Sequence, residues 1–265
     1  MTDDQEQIAA AEAYEDLYVP ALFEQWASRV LDAISVQSGQ RVLDVACGTG
    51  VLAREASARV GPAGSVAGVD PGASMLAIAR RVTPAIDWQE GTAESLPFPD
   101  RSFDAVVSQF GLMYFPDRPG SVSEMLRVLV PGGKLSVAVW DHLENSAPYP
   151  QLVDLLQRLA GQSAADALVA PFVLGDTKEL TALFESAGAT DVSVTTHTGT
   201  ARFPSTRETV EADLRGWLPV MGVVLEEELI QEILAEADNV LHKYVSDEGQ
   251  VVFDAPAHIV TGAKA

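Results

Sequence analysis

The run Val42-Leu43-Asp44-Val45-Ala46-Cys47-Gly48-Thr49-Gly50-Val51-Leu52-Ala53 joins a buried-strand pattern to an amphipathic helix through two glycines. Glycine at these places removes Cβ atoms that would hold a ligand off the chain, and it lets the turn run directly into a helix N-terminus. Asp44 is discordant, because a carboxylate inside an apolar strand is costly unless something donates to it. Gly48-x-Gly50-x-x-Ala53 fits the dinucleotide fingerprint, with Asp70 twenty residues past Gly50 for the ribose hydroxyls. A strand-turn-helix that binds nothing is a further reading. Against the dinucleotide reading stands Asp44 itself, four residues before Gly48, where such folds carry apolar strand residues.

The following hundred residues repeat the alternation of strand and helix. Gly64 to Asp70 reads as a second strand ending in an acid, and Pro71 to Leu76 as a turn into a helix. Ile86 to Glu90 gives a short third strand, followed by a loop through Thr92, Ala93, Glu94, Leu96, Pro97 and Phe98. Ser102 to Leu112 reads as a fourth strand, and Leu129 to Trp140 as the helix-turn-strand after it. In the Pro131-Gly132-Gly133 turn, proline stops the helix and glycine supplies positive φ before the strand.

Taken in order, Asp44-x-x-x-Gly48-x-Gly50, the strand-end Asp70, the Ala93-Glu94-Ser95-Leu96-Pro97-Phe98 loop and Pro131-Gly132-Gly133-Lys134 resemble class I S-adenosylmethionine (SAM) dependent methyltransferases over roughly residues 40 to 140. The branch resembled includes ubiquinone and menaquinone biosynthesis enzymes and many natural-product methyltransferases. The resemblance implies an α/β, Rossmann-like fold with sheet order 3-2-1-4-5-7-6, the last strand antiparallel, and helical caps at both ends of the chain. It implies SAM as cofactor and S-adenosylhomocysteine as product. Asp44 would anchor the glycine loop and the cofactor's methionine end, with Ala46, Gly48, Thr49 and Gly50 around it. Asp70 would accept from both ribose hydroxyls, next to Pro71 and Met75. Where the family carries Asp or Asn facing the adenine amino group this chain has Thr92, whereas the adjoining contact, from the Ala93 backbone N–H, does not depend on the side chain. Glu94 and the strand end Ser108-Gln109-Phe110 complete the expected cofactor contacts.

Composition narrows the partner. The formal charge is −21, and the 17 Lys and Arg are scattered without a cluster, which disfavours nucleic acid because binding it needs cations on phosphates. Solubility and growth in salt are two uses for the acidic surface. Cys47 is the only cysteine, so an intrachain disulfide or a cysteine-based metal site is excluded, and no metal is expected. Met1 to Gln7 is acidic and lacks the regions of a signal peptide, and no apolar run approaches a membrane span, so a cytoplasmic protein is expected.

The segments outside the core divide a single methyltransferase domain. Residues 1–38 are N-terminal helices, 39–142 the cofactor core, 143–203 helices and the sixth strand, 204–250 a helical lid, and 251–265 the last strand. In the first segment Leu22, Phe23, Trp26, Val30, Leu31 and Ile34 share a helical face, with Pro20 as the residue that starts the helix. The family commonly closes such helices over the cofactor, which places Tyr18 and Trp26 against SAM and Tyr14 at the acceptor. Met113, Trp140, Tyr149, Trp217 and Met221 complete a candidate apolar acceptor pocket, suited to spreading sulfonium charge. The lid carries Leu225, Leu229, Ile230, Ile233, Leu234, Ala237, Leu241 and Tyr244 at helical spacing, and exposed apolar helices there would permit a homodimer.

Methyl transfer from a sulfonium asks for in-line positioning and for removal of a proton where the nucleophile has one. His142, following the fifth strand, is the candidate base; a solvated loop histidine is the plain alternative. The expected activity is methylation of an O, N or C nucleophile on a small hydrophobic or aromatic acceptor. Its rivals are an NAD(P)-binding oxidoreductase and a non-catalytic SAM-binding regulator.

Overall fold

A computed structural model of the chain describes residues 3–265. Met1 and Thr2, which begin the acidic N-terminus, lie outside the described residues. Strands β1 (Arg41–Val45) and β2 (Ser65–Asp70) are buried along all but their first residue, as inner strands of a parallel sheet covered on both faces must be. Helix α3 (Val51–Val60) connects them, and α4 (Ala73–Val82) leads on to the edge strand β3 (Asp87–Glu90). From there the chain returns to the other side of β1 as β4 (Phe103–Gln109), then passes through α5 (Arg118–Val128) to β5 (Leu129–Trp140). The last strand β7 (Val251–Ala263) inserts antiparallel between β5 and β6 (Thr190–Phe203), giving the expected order β3-β2-β1-β4-β5-β7-β6.

Several elements depart from the sequence reading. Pro131-Gly132-Gly133 is an excursion within β5: the pairing Phe103 with Leu129 resumes only at Ala105 with Lys134, and Gly132 takes φ +75° at the bend. Strand β6 runs five residues beyond the expected end at Thr198. Its outer edge is covered by the side chain of Gln25, which donates to Thr200 O at 2.7 Å and accepts from Thr200 N at 2.8 Å, as a neighbouring strand would. Pro20 starts no helix. Helix α1 (Asp3–Ala13) continues through a π-helical segment, Tyr14–Phe23, into α2 (Glu24–Ala33), and Pro20 lies inside it. A wider turn tolerates a residue that cannot donate a backbone hydrogen bond, because the i→i−4 ladder is already broken there.

The lid is also larger than residues 204–250. Helices α6 (Tyr149–Ala160) and α7 (Gln162–Val169) enclose a second, aliphatic core with α9 (Thr206–Glu211), a π-helical turn Ala212–Trp217, the short α10 (Leu218–Val220) and α11 (Glu227–Leu241). The remaining helix, α8 (Thr177–Ser186), packs on the sheet against α5. The expected boundary at residue 203 therefore cuts through one packing unit. The stripe Ile230, Ile233, Leu234, Ala237 and Leu241, read as surface for a homodimer, is internal to this unit.

Two glycines that the sequence assigns to ligand approach have different physical reasons. At Gly48, φ is +54° and a Cβ would meet nothing within 4 Å, so the position faces open space. At Gly50, φ is +93° and a Cβ would lie 2.4 Å from the ring of Trp88. Trp88 lies under the turn, filling the gap between it and Gly68 of β2, where a Cβ would also meet the ring at 2.4 Å. Gly50 is thus required by packing. The Gly50→Ala variant should lose roughly 2–4 kcal/mol through a strained left-handed alanine and overpacking. Denaturant melts should show part of that loss recovered in Gly50→Ala/Trp88→Leu.

Candidate functional site

The site forms where strand order reverses, at the carboxyl ends of adjacent β1 and β4. Both strands end in a non-glycine residue in the left-handed region, Ala46 and Phe110, each with φ +57°. Such conformations cost about 1–2 kcal/mol each and concentrate at functional sites. They turn both chains away from the sheet beside a small cleft whose walls include Tyr14, Asp44, Gly48, Thr49 and Gln109.

The cleft is rich in acceptors. Both oxygens of Asp44, Thr49 Oγ1 and Gln109 Oε1 are buried without a hydrogen-bond partner, as is Ser108 Oγ just behind. Burial pushes the Asp44 carboxyl well above its ordinary range, and the neighbouring Asp70 adds to the rise. Unpartnered buried acceptors fit a ligand that brings donors and positive charge. The ammonium of SAM is a group of that chemistry, and Asp44, Thr49 and Gln109 all line the cleft. A dinucleotide would bring a diphosphate instead, and two carboxylates would repel it.

Asp70 has partly committed its carboxylate to the protein. One oxygen accepts from Gly48 N and the other from Gly72 N, both at 2.8 Å, so it ties the glycine turn to the start of α4. Each oxygen keeps a further lone pair for a ribose hydroxyl. Pro71 is exposed beside it, and Met75 lies against Gly72. Thr92 is exposed in the next loop and accepts at its carbonyl from Ser95 N; Ala93 is buried, and Glu94 buries one oxygen without a partner.

The N-terminal segment closes one side. Tyr14 lines the cleft and its phenol is pushed up by burial and by Asp70, Glu15 and Asp44. Glu15 pairs at 2.7 Å with Arg54, whose guanidinium also donates to Thr49 O, and Gln109 donates to Phe23 O at 3.1 Å. These bonds fasten the helical strap to the glycine turn and to the end of β4. Neither Glu15 nor Arg54 stands in a motif, and only their contact in the fold reveals them.

Aromatic rings extend from this strap. Tyr14 lies 5.7 Å from Tyr18 and 5.3 Å from Phe23, and Phe110 stacks on Trp140 at 3.7 Å. Trp26 is corrected by the structure: it is fully enclosed behind that stack, edge-on to Phe110 and Trp140, and offers no surface to the cleft. Met113 is buried beside the strand end, Tyr149 packs on Phe172 and Phe253, and Trp217 packs on Tyr114 while donating to Ala167 O. Met221 sits in the exposed turn at the outer end of the lid. His142 is exposed, its ring packed against Gly175 and near Asp176 at the start of α8. It stands apart from the aromatic strap because Asp141 turns inward to His258 at 3.1 Å and leaves its neighbour outside.

One polar group in this region has no counterpart in the sequence reading. Asp213, on the π-helical turn of the lid, is buried and accepts from Tyr18 Oη at 3.1 Å. Burial pushes its carboxyl up to about 7, against the Tyr18 hydrogen bond, which lowers it. A carboxyl whose folded value exceeds its unfolded value holds its proton in the fold while the open chain has lost it. It therefore costs stability progressively as pH rises from about 4 to about 7. Wild-type protein should lose on the order of 3 kcal/mol more than Asp213→Asn between pH 4 and pH 8 in paired denaturation curves. Equal losses would show that this carboxyl titrates normally.

Comparison with known proteins places this geometry. Residues 42–133 match the methyltransferase domain family model. The chain is 37% identical over 177 residues to the ubiquinone/menaquinone biosynthesis C-methyltransferase UbiE of Hahella chejuensis, covering 64% of this chain and 69% of that protein. It is 45% identical over 118 residues to the demethylmenaquinone methyltransferase of Renibacterium salmoninarum, covering 44% and 48%. It is 38% identical over 125 residues to the 2-phytyl-1,4-naphtoquinone methyltransferase of Thermosynechococcus vestitus, covering 46% and 56%. The chain thus spans about half the length of most of the curated relatives it matches. Among solved structures, the Bacillus subtilis YcgJ protein superposes with a TM-score of 0.59 at 21% identity over 91% of this chain and 98% of that one. The Haemonchus contortus phosphoethanolamine N-methyltransferase 2 bound to S-adenosylhomocysteine superposes with a TM-score of 0.61 at 19% identity over 97% and 57%. The chain belongs to the class I SAM-dependent methyltransferases.

Among the described residues no group of three or more His, Cys, Asp and Glu is placed to hold a metal, and no helix is long and apolar enough to cross a membrane.

Proposed function

We propose that this protein transfers the methyl group of SAM to a nucleophilic oxygen, nitrogen or carbon of a small hydrophobic or aromatic molecule. The observation that carries the reading is the acceptor-rich cleft around Asp44, buried without donors beside a backbone turn open at Gly48. SAM, when bound, supplies an activated methyl on a sulfonium. The chain's own residues do the rest. Asp44 and Gln109 hold the amino-acid end, Asp70 orients the ribose, and the backbone of Ala93 meets the adenine. The Phe110–Trp140 stack and the strap rings of Tyr14 and Phe23 exclude water from the transfer path. Positioning of this kind is sufficient for most of the rate, because the leaving group is already charged.

The acceptor is a small molecule in this reading, as in the named relatives, whose acceptors include quinones. A net charge of −21 opposes a nucleic-acid acceptor. The apolar stripe of α11 is internal and does not supply a homodimer surface, whereas Val220 and Val224 in the neighbouring turn are exposed. His142 remains a candidate base only if its loop turns inward, and the exposed position of its ring favours a reaction driven by positioning.

Calorimetry should show S-adenosylhomocysteine binding with release of a proton, because the ligand ammonium favours the ionised form of Asp44, and affinity should therefore rise with pH. Asp44→Asn should weaken this binding by about 100-fold to 1,000-fold, the scale for removing one partner of a buried charge pair. Labelled methyl should pass from SAM to a phenol, quinol or amine panel. Tight NAD binding with none of the thioether would sink the reading.

A further inference from the structure

Asp213 is an unusual residue to find inside the lid. It is among the residues lining a small, otherwise aliphatic cavity between α6, α7, α9 and α11, walled by Leu152, Leu168, Val210 and Ile233. The groups with titratable protons that face it are the phenols of Tyr18 on the strap and Tyr149 at the start of α6. The charged groups nearest in sequence, Arg215 and Glu211, pair on the outer surface with each other and with Glu227. No described cation compensates Asp213, and its ionisation in the fold is unfavourable on that account.

Its position joins the lid to the cofactor cleft. Tyr14 is on the wall of that cleft, its ring lies 5.7 Å from that of Tyr18, and Tyr18 donates to Asp213 at 3.1 Å. Strap and lid are both π-helical where they meet, at Tyr14–Phe23 and Ala212–Trp217, a geometry that recurs at functional sites. The Tyr18 bond engages one carboxylate oxygen, and among the described residues no hydrogen bond is seen to the other, which can take a donor.

We propose that Asp213 is the acceptor-recognition carboxyl of this enzyme: with Tyr18 it receives a ring hydroxyl of the methyl acceptor and so turns the acceptor's apolar body toward the cofactor cleft. This deepens, and rests on, the methyltransferase reading. A hydroxyl on an apolar ring suits the place because the carboxyl takes its single donor while the surrounding leucines and strap rings pack against the ring. The bond is strongest to the ionised form, so recognition strengthens as pH rises through about 7. Asp213 is a positioning residue here, retained although its burial lowers stability.

The test titrates 2-naphthol, and 2-methoxynaphthalene as the same ring without a donor, into protein saturated with S-adenosylhomocysteine, at pH 6 and pH 8. Wild-type protein should bind 2-naphthol severalfold more tightly at pH 8 than at pH 6. Asp213→Asn should bind it about tenfold more weakly at pH 8 and lose the pH dependence, while 2-methoxynaphthalene binds both proteins alike. Tyr18→Phe, which leaves the carboxyl in place and removes the bond that lowers its titration, should move the rise in affinity to higher pH. That variant decides the matter if Asp213→Asn fails to fold. Unchanged 2-naphthol binding in Asp213→Asn, or an unmoved pH dependence in Tyr18→Phe, would overturn the proposal. So would wild-type protein that binds the thioether and shows no preference for the hydroxyl. Failure to bind S-adenosylhomocysteine itself would instead overturn the methyltransferase reading.

Discussion

Everything at the site depends on β1 pairing in parallel with β4 at the point where strand order reverses. Crossovers leave these two strands in opposite directions, so no helix covers the gap between their carboxyl ends. The backbone meets the gap with left-handed Ala46 and Phe110, and the gap is where Asp44, Gly48 and Gln109 converge. Phe110, once turned, lies flat on Trp140 from the next strand and carries the aromatic wall outward. A change in strand order would separate these groups even if each local turn survived.

The second constraint is a shortage of donors. Asp44, Thr49 and Gln109 present buried acceptors to the cleft, and Asp213 presents another carboxyl inside the lid. Both carboxyls are pushed up by burial, which means that the fold alone does not stabilise their ionised forms. The cost is bearable because large apolar clusters surround them, one on the sheet and one in the lid. Stability held in the cores is spent at the points where ligands supply the missing partners, as is usual for functional groups.

How much of this was legible in the sequence differs from residue to residue. The strand order and the antiparallel last strand were legible only through the family resemblance that the ordered motifs carry, since local pattern and turn chemistry act over a few residues and fix no strand neighbours. Gly50 was legible as a required glycine but for another reason, because Trp88 is nearly forty residues away in sequence and only the β2–β3 pairing brings it under the turn. Pro20 misled, since a proline at a helix start and one inside a π-helical turn share the same flanking pattern. Trp26 was singled out from the family's closing N-terminal helices and His142 from its place after the fifth strand, and burial of one and exposure of the other depend on packing that neither signal encodes.

The sequence by itself determined the family and, through that resemblance, the expected sheet order, because each of its ordered motifs is a short run whose turn chemistry acts locally. Only the tertiary structure decided that α6, α7 and the 204–250 segment form one lid core. It also decided that Glu15 and Arg54 fasten the strap, and that Tyr18 meets Asp213 across a separation of 195 residues. These are long-range pairings between segments with no local pattern in common, and their energies exist only once the sheet has brought the segments together.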